Sequence, residues 1–170
     1  MTAPEEIVDV VDEDDRVVGR VTRAEMRRRN LLHRAVYIIV RNERGDFFVH
    51  LRTTTKDVYP GRWDVTVGGV VAAGESYEAA ARRELAEETG IRDAPPHPLF
   101  DVRFTDPSTR LVGRVFLALH DGDVTLQTDE IAWGAFAPRT EVERIVREEP
   151  CCPDGVLVLR RYLASLVTTS

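Results

Sequence analysis

The segment RELAEETG, Arg83 to Gly90, places Glu84, Glu87 and Glu88 within five residues and follows them with a glycine. On a helix turning about 100° per residue, positions i, i+3 and i+4 share one side, so the three carboxylates converge. Tyr77, Ala80 and Ala81 project toward that same side, whereas Glu78, Arg82, Ala86 and Thr89 make the opposite, solvated face. Acidic clusters on helices are ordinarily solvated charge runs, and such runs lie opposite the apolar residues. Acids that point inward need a compensating charge instead. A hard divalent cation with oxygen ligands supplies it, magnesium first and manganese second.

Working outward, Ser76 caps this helix and Gly90 ends it. Upstream, after the turn Tyr59-Pro60-Gly61, WDVTVGGVV (63–71) reads as one strand whose Gly68 and Gly69 permit close backbone approach. The runs RAVYIIV (34–40) and DFFVHLR (46–52) flank the turn NERG and read as antiparallel strands, apolar enough for a sheet covered on both faces. IVDVVDEDDRVVGRV (7–21) reads as an N-terminal hairpin around Asp12 to Asp15, with a helical segment near Ala24 to Arg29. Further strands fall at 99–104, 110–119 and 131–136, and helices at 141–147 and 156–167. This order predicts an α/β fold with a mixed sheet between helices.

The 170 residues fit one domain, 1–170, with 1–30 as an N-terminal extension. A net charge of −6 argues against a protein that wraps nucleic acid and leaves room for a small anionic ligand. The start, MTAPEEIVDV, lacks the layout of a secretory signal, and apolar runs such as AVYIIV are too short for a bilayer, so no membrane partner and a cytoplasmic location are expected. Cys151 and Cys152 are neighbours, which disfavours a disulfide between them, and no other cysteine completes a metal set. They read as two buried small residues. EEPCCPDG (148–155) reads as a loop with no assigned function.

The acidic helix belongs to a longer pattern: Gly69, five residues, Glu75, seven residues, Arg83-Glu84-Leu85, one residue, Glu87-Glu88, one residue, Gly90-Ile91. Over residues 69–91 this resembles the Nudix box without a departure. The resemblance implies the α/β/α sandwich of Nudix hydrolases and hydrolysis of a diphosphate bond in a nucleoside diphosphate linked to another group, with divalent metal. It implies that Glu84, Glu87 and Glu88 hold the metal with the carbonyl near Gly69, and that Glu75 and Arg83 pair to fix the loop on the helix. Glu84 and Glu130, the latter in a later loop, are both candidates for the general base. Many relatives are homodimers, so a dimer is carried over as an expectation.

The stretch 32–65 is similar to isopentenyl diphosphate isomerases, which share this fold, at Leu32-His33, at Arg52 with Lys56, and at Pro60-Gly61. That likeness implies diphosphate contact for Arg52 and Lys56, whereas His33 reads as a structural histidine outside the metal set. The isomerase needs a cysteine and a histidine where this chain has Gly68 and Val70, so its chemistry, protonation and deprotonation of carbon, is not expected. A ligand-binding module without catalysis is a further alternative, against which the intact acids argue. Trp63, Trp133, Tyr59 and Phe104 leave two readings open, stacking on a base or packing in the core.

Overall fold

The computed structural model describes residues 5–167. Its element order is β1 (Ile7–Val11), β2 (Val17–Thr22), α1 (Arg23–Arg29), β3 (Leu32–Arg41), β4 (Phe47–Arg52), β5 (Trp63–Asp64), β6 (Val67–Val70), α2 (Tyr77–Thr89), β7 (His97–Thr105), β8 (Arg110–Leu119), β9 (Ile131–Ala137), α3 (Arg139–Glu148) and α4 (Pro153–Val167). The expected extension over 1–30 is thus a hairpin and a short helix, with its first four residues outside the described region.

Strand β3 is the spine of one mixed sheet. It pairs in parallel with β8 along its whole length, from Leu32↔Arg110 to Arg41↔Leu119, and its other edge meets β1 and then β6 antiparallel. Successive side chains of a strand face opposite ways. Ala35, Tyr37 and Ile39 therefore join Val142, Ile145, Val158, Leu159 and Tyr162 of α3 and α4 on one face. Val36, Ile38 and Val40 join Ala80, Ala81 and Leu85 of α2 on the other. Burying a leucine such as Leu85 stabilises the fold by about 1.5–3 kcal/mol. The result is the α/β/α sandwich with a mixed central sheet that the sequence predicts.

Three details differ from that reading. The stretch 63–71 is two strands, because Asp64 Oδ1 accepts the Thr66 amide and hydroxyl at 3.1 Å each and turns the chain. Consequently β5 pairs with β4, whereas β6 crosses to β3. The strands β3 and β4 are antiparallel but meet only at Arg41↔Phe47, since β6 occupies the edge of β3 and β4 turns to pair with β9. On α2, Thr89 is buried and Glu87 is exposed, the reverse of the helical-wheel expectation. The loop 124–127 folds over the end of the helix, with amides of Thr125 and Gln127 on the carbonyls of Thr89 and Glu88.

Candidate active site

Helix α2 starts where Ser76 Oγ accepts the Ala79 amide at 3.1 Å and stops at Gly90, whose left-handed φ of 73° suits a residue without a side chain. Ahead of it the loop after β6 is latched by Glu75. Arg83 grips that carboxylate with two nitrogens, Nε at 2.8 Å and Nη2 at 2.9 Å, and Nη2 also reaches the Val70 carbonyl at 3.2 Å. The Ala72 amide donates to the same carboxylate at 3.0 Å. Arg83 thereby keeps Glu75 below the usual carboxylate range. The bidentate pair joins strand, loop and helix in one unit.

The two inward acids are Glu84, 8% exposed, and Glu88, 4% exposed, one helical turn apart. Glu87 stands at the rim with its side chain 51% exposed. Burial pushes Glu84 up to about 7 although Arg83 Nη1 donates to it at 2.8 Å. The same Nη1 donates to Glu87 at 3.2 Å. Glu88 is driven well above the usual range by burial, then by Glu84 and Glu130. Gly69 lies against Glu84: a Cβ there would sit 2.7 Å from its carboxyl carbon. The Gly68 amide points at Glu88 Oε2, 3.4 Å away.

Glu130, just before β9, comes to the same place. It shares a hydrogen bond with Glu88 and lies 3.3 Å from Lys56 Nζ. Burial alone would raise its carboxyl, yet Lys56 and the bond from Glu88 outweigh burial and hold it low. Burial and its acidic neighbours thus push Glu88 up while Lys56 pulls Glu130 down.

Among the described residues no three acid, imidazole or thiol groups converge as a finished metal cage. The Nη1 arm of Arg83 stands between Glu84 and Glu87, and Lys56 holds Glu130. The donor set nevertheless suits a hard cation: carboxyl oxygens crowded in a buried place, where burial and neighbouring acids oppose ionisation of Glu84 and Glu88. Glu84, Glu87 and Glu88 with the Gly69 carbonyl could hold such an ion once the Nη1 arm swings aside.

The remaining residues named from sequence divide. Lys56 joins the acids, whereas Arg52 is turned away, with Nη2 on the Val58 carbonyl at 2.9 Å and Nη1 3.8 Å from Asp64. Arg52 lines a neighbouring cavity of about 80 Å³, and Lys56 borders both that cavity and an open recess of about 360 Å³ over Glu84, Glu87 and Glu130. His33 is 1% exposed and also faces the smaller cavity, with Nδ1 2.9 Å from the Leu31 carbonyl. Burial lowers its pKa to about 4, so it is a neutral, hydrogen-bonded histidine. Trp63 and Trp133 pack edge to face at 5.5 Å, and neither lines the cavity. Cys152 is buried and Cys151 half-buried, both free.

Two arginines of α1 escape the sequence reading. Arg23 and Arg27 both reach Asp57, at 3.3 and 3.2 Å, and both line the cavity. Their spacing of four residues was the available signal, but nothing local shows what that helix face meets.

A family model, the NUDIX domain, matches residues 31–150, and the chain belongs to the Nudix hydrolases, enzymes acting on nucleoside diphosphates linked to other moieties. Among similar chains is an uncharacterized Nudix hydrolase of Pseudomonas aeruginosa, 43% identical over 93% of this chain and 94% of that one. The Nudix hydrolase YfcD of Escherichia coli K12 is 41% identical over 95% and 88%. A solved structure from Deinococcus radiodurans, 29% identical, superposes with a TM-score of 0.80 over 92% of this chain and 98% of that one. The Nudix domain of Shewanella oneidensis NrtR, solved with ADP ribose, shares the fold at a TM-score of 0.66 and 18% identity, over 86% and 99%.

Proposed function

We propose that the protein is a magnesium-dependent hydrolase that cleaves a diphosphate bond in a nucleoside diphosphate linked to another moiety or in a related small organic diphosphate, with manganese as a substitute ion. The observation that carries this reading is the buried pair Glu84, under Gly69, and Glu88, beside the Gly68 amide, backed by the Glu75–Arg83 latch. Glu84, Glu87 and Glu88 with the Gly69 carbonyl are the proposed metal ligands. The bound ion would neutralise phosphate oxygens and acidify a water.

The chain's own groups do the rest. Lys56 sits between the acids and the cavity and takes a phosphate oxygen, with Arg52 close behind it. Glu130, which Lys56 holds ionised, is the better placed of the two candidate bases to take the proton of the attacking water. Glu84 then serves the ion. Support for a diphosphate ligand comes from the cations that border the recess and from the ADP ribose in the Shewanella domain.

We read Leu32-His33, Arg52 with Lys56, and Pro60-Gly61 as the mark of an isomerase-like subgroup, but carbon acid–base chemistry needs groups that Gly68 and Val70 cannot supply. A silent binding module would leave the buried acids without a purpose. We also read residues 1–170 as one domain of a cytoplasmic protein that engages neither nucleic acid nor membrane, and a homodimer as its assembly. No helix among the described residues is long and apolar enough to cross a membrane.

A panel of nucleoside diphosphates, sugar nucleotides, dinucleotide cofactors, coenzyme A and isopentenyl diphosphate, incubated with magnesium and followed by anion exchange and mass detection, tests this reading. Phosphate-bearing fragments that vanish with Glu87→Gln support it. Isopentenyl diphosphate converted to an isomer of unchanged mass would overturn it.

A further inference from the structure

The cavity beside the acidic helix has walls of two kinds. On the side shared with the open recess stand Arg23 and Lys56, with Arg27 and Arg52 nearby. Deeper in, the wall is made by Tyr37, Asp64, Thr66 and Asp154. The corner CCPDG (151–155), without a role in the sequence, contributes Cys152 and Asp154 to the cavity lining. Gly155 packs so closely on Asp64 that a Cβ would lie 2.5 Å from Oδ1.

The hydrogen bonds of this wall leave acceptors unfilled. The Tyr37 hydroxyl donates to Asp154 Oδ2 at 2.9 Å, and the Gly155 amide to Oδ1 at 3.0 Å. The Thr66 amide and hydroxyl both use Asp64 Oδ1, while Arg52 Nη1 stays 3.8 Å from Oδ2. His33 spends its one ring hydrogen, at Nδ1, on the Leu31 carbonyl. Its Nε2 is then a bare acceptor with no partner among the described residues, on a side chain 1% exposed. A carboxylate accepts up to about four hydrogen bonds, so both aspartates have capacity left. Burial, then the neighbouring Asp64, push Asp154 up to about 6, against the pull of the Tyr37 hydroxyl, the Gly155 amide and Arg52.

Such a wall is poor for an apolar chain, because filling it with hydrocarbon would strand buried acceptors at a cost of about 1–3 kcal/mol each. Of the aromatic rings, Tyr37 and Tyr59 line the cavity. The Tyr59 ring is covered by the Arg62 guanidinium at 5.4 Å, and the two tryptophans pair elsewhere.

We propose that this cavity holds the non-phosphate group of the substrate, and that this group is small and rich in hydroxyl or amino hydrogens, received by Asp64, Asp154 and His33 Nε2. The inference rests on the diphosphate reading above. Arg23, Arg27 and Lys56 fix the anionic end, and the acceptor wall selects what is attached to it. Asp64 and Asp154 are specificity residues with no part in bond cleavage.

Calorimetric titration of the full chain in EDTA separates this inference from the hydrolase reading, because it needs neither metal nor turnover. The probes are glyceryl diphosphate, 2-aminoethyl diphosphate and, as an apolar group of similar size, isopentenyl diphosphate. At least one donor-bearing ester should bind about tenfold tighter than isopentenyl diphosphate, or more. Asp154→Asn and His33→Asn should each narrow that ratio, with circular dichroism confirming that both variants fold. Tyr37→Phe, which frees Asp154 Oδ2 and removes only one oxygen atom, serves if either fails to fold, and should shift the ratio as well. Equal or tighter binding of isopentenyl diphosphate, no binding of any ester, or a ratio indifferent to the variants would each overturn the proposal. Loss of hydrolysis in the magnesium panel with the binding preference intact would overturn the hydrolase reading alone.

Discussion

The Glu84 carboxylate lies directly under Gly69, so close that a β-carbon on residue 69 would stand 2.7 Å from its carboxyl carbon. The obstructing atoms are the far end of a flexible side chain, which can move. Gly69→Ala is therefore expected to fold, with a stability change of about 1 kcal/mol or less, while magnesium affinity falls about tenfold because Glu84 is displaced. Gly68→Ala makes the contrasting case. Its Cβ would lie 2.0 Å from the Val36 carbonyl oxygen, in the backbone of β3, and destabilisation of about 3 kcal/mol or more is expected. Thermal melts with a magnesium titration check both. A Gly69→Ala variant that binds magnesium normally contradicts the placement of Glu84.

The latch makes its own prediction. Glu75→Gln leaves Arg83 with a weaker partner, so its guanidinium is expected to settle on Glu84 and Glu87, where Nη1 already lies at 2.8 and 3.2 Å. Metal affinity then drops, by about tenfold, with a loss of folding stability of about 1–2 kcal/mol. Manganese binding followed by electron paramagnetic resonance reads the first, and chemical denaturation the second. Unchanged manganese affinity would show that Arg83 does not compete with the ion.

Lys56 holds Glu130 ionised, and that contact has a pH signature. With Lys56→Ala, the Glu130 carboxyl loses the main influence that lowers it and moves upward. A general base must be deprotonated to work, so the acid limb of kcat/KM is expected to shift to higher pH. KM for the diphosphate should rise about tenfold as a charged phosphate contact is lost. A higher KM with an unmoved acid limb would leave Lys56 as a phosphate ligand and remove Glu130 as base.

His33 governs a different window. The ring takes a proton near pH 6.5 in an unfolded chain but only near about 4 in the folded protein, because it is buried. Its contribution to stability is present above 6.5 and is lost as pH falls toward 4. His33→Asn keeps a donor for the Leu31 carbonyl and removes this titration. The melting-temperature gap between wild type and variant should be constant above pH 7 and shrink between 6.5 and 4. A gap independent of pH contradicts a neutral, buried imidazole.

How far the sequence could be read follows from the range of each interaction. The acidic helix was legible because its signals are local: the Ser76 cap, the spacing of Glu84, Glu87 and Glu88, and the stop at Gly90. The unbroken apolar run of β3, Ala35 to Val40, likewise announces a sheet covered on both faces. The exchange of Glu87 and Thr89 was not legible, because it depends on the loop 124–127 closing over the end of the helix. The break at Asp64 comes from a side chain capping its own turn, a choice that a run of β-prone residues conceals. Most hidden was the deep cavity wall. It needs Tyr37 on the central strand to meet Asp154 at the start of the last helix, a contact set by tertiary packing.

The most direct test of the account is the rate of diphosphate cleavage by wild type, Glu87→Gln and Glu88→Gln, measured on the best substrate of the panel across a magnesium titration. The account predicts no cleavage without a divalent ion, saturable activation by magnesium, and a fall of about a hundredfold or more in kcat for each variant with folding preserved. Cleavage that persists in EDTA, or variants as active as wild type, would contradict the assignment of the acidic helix as the metal-binding catalytic centre.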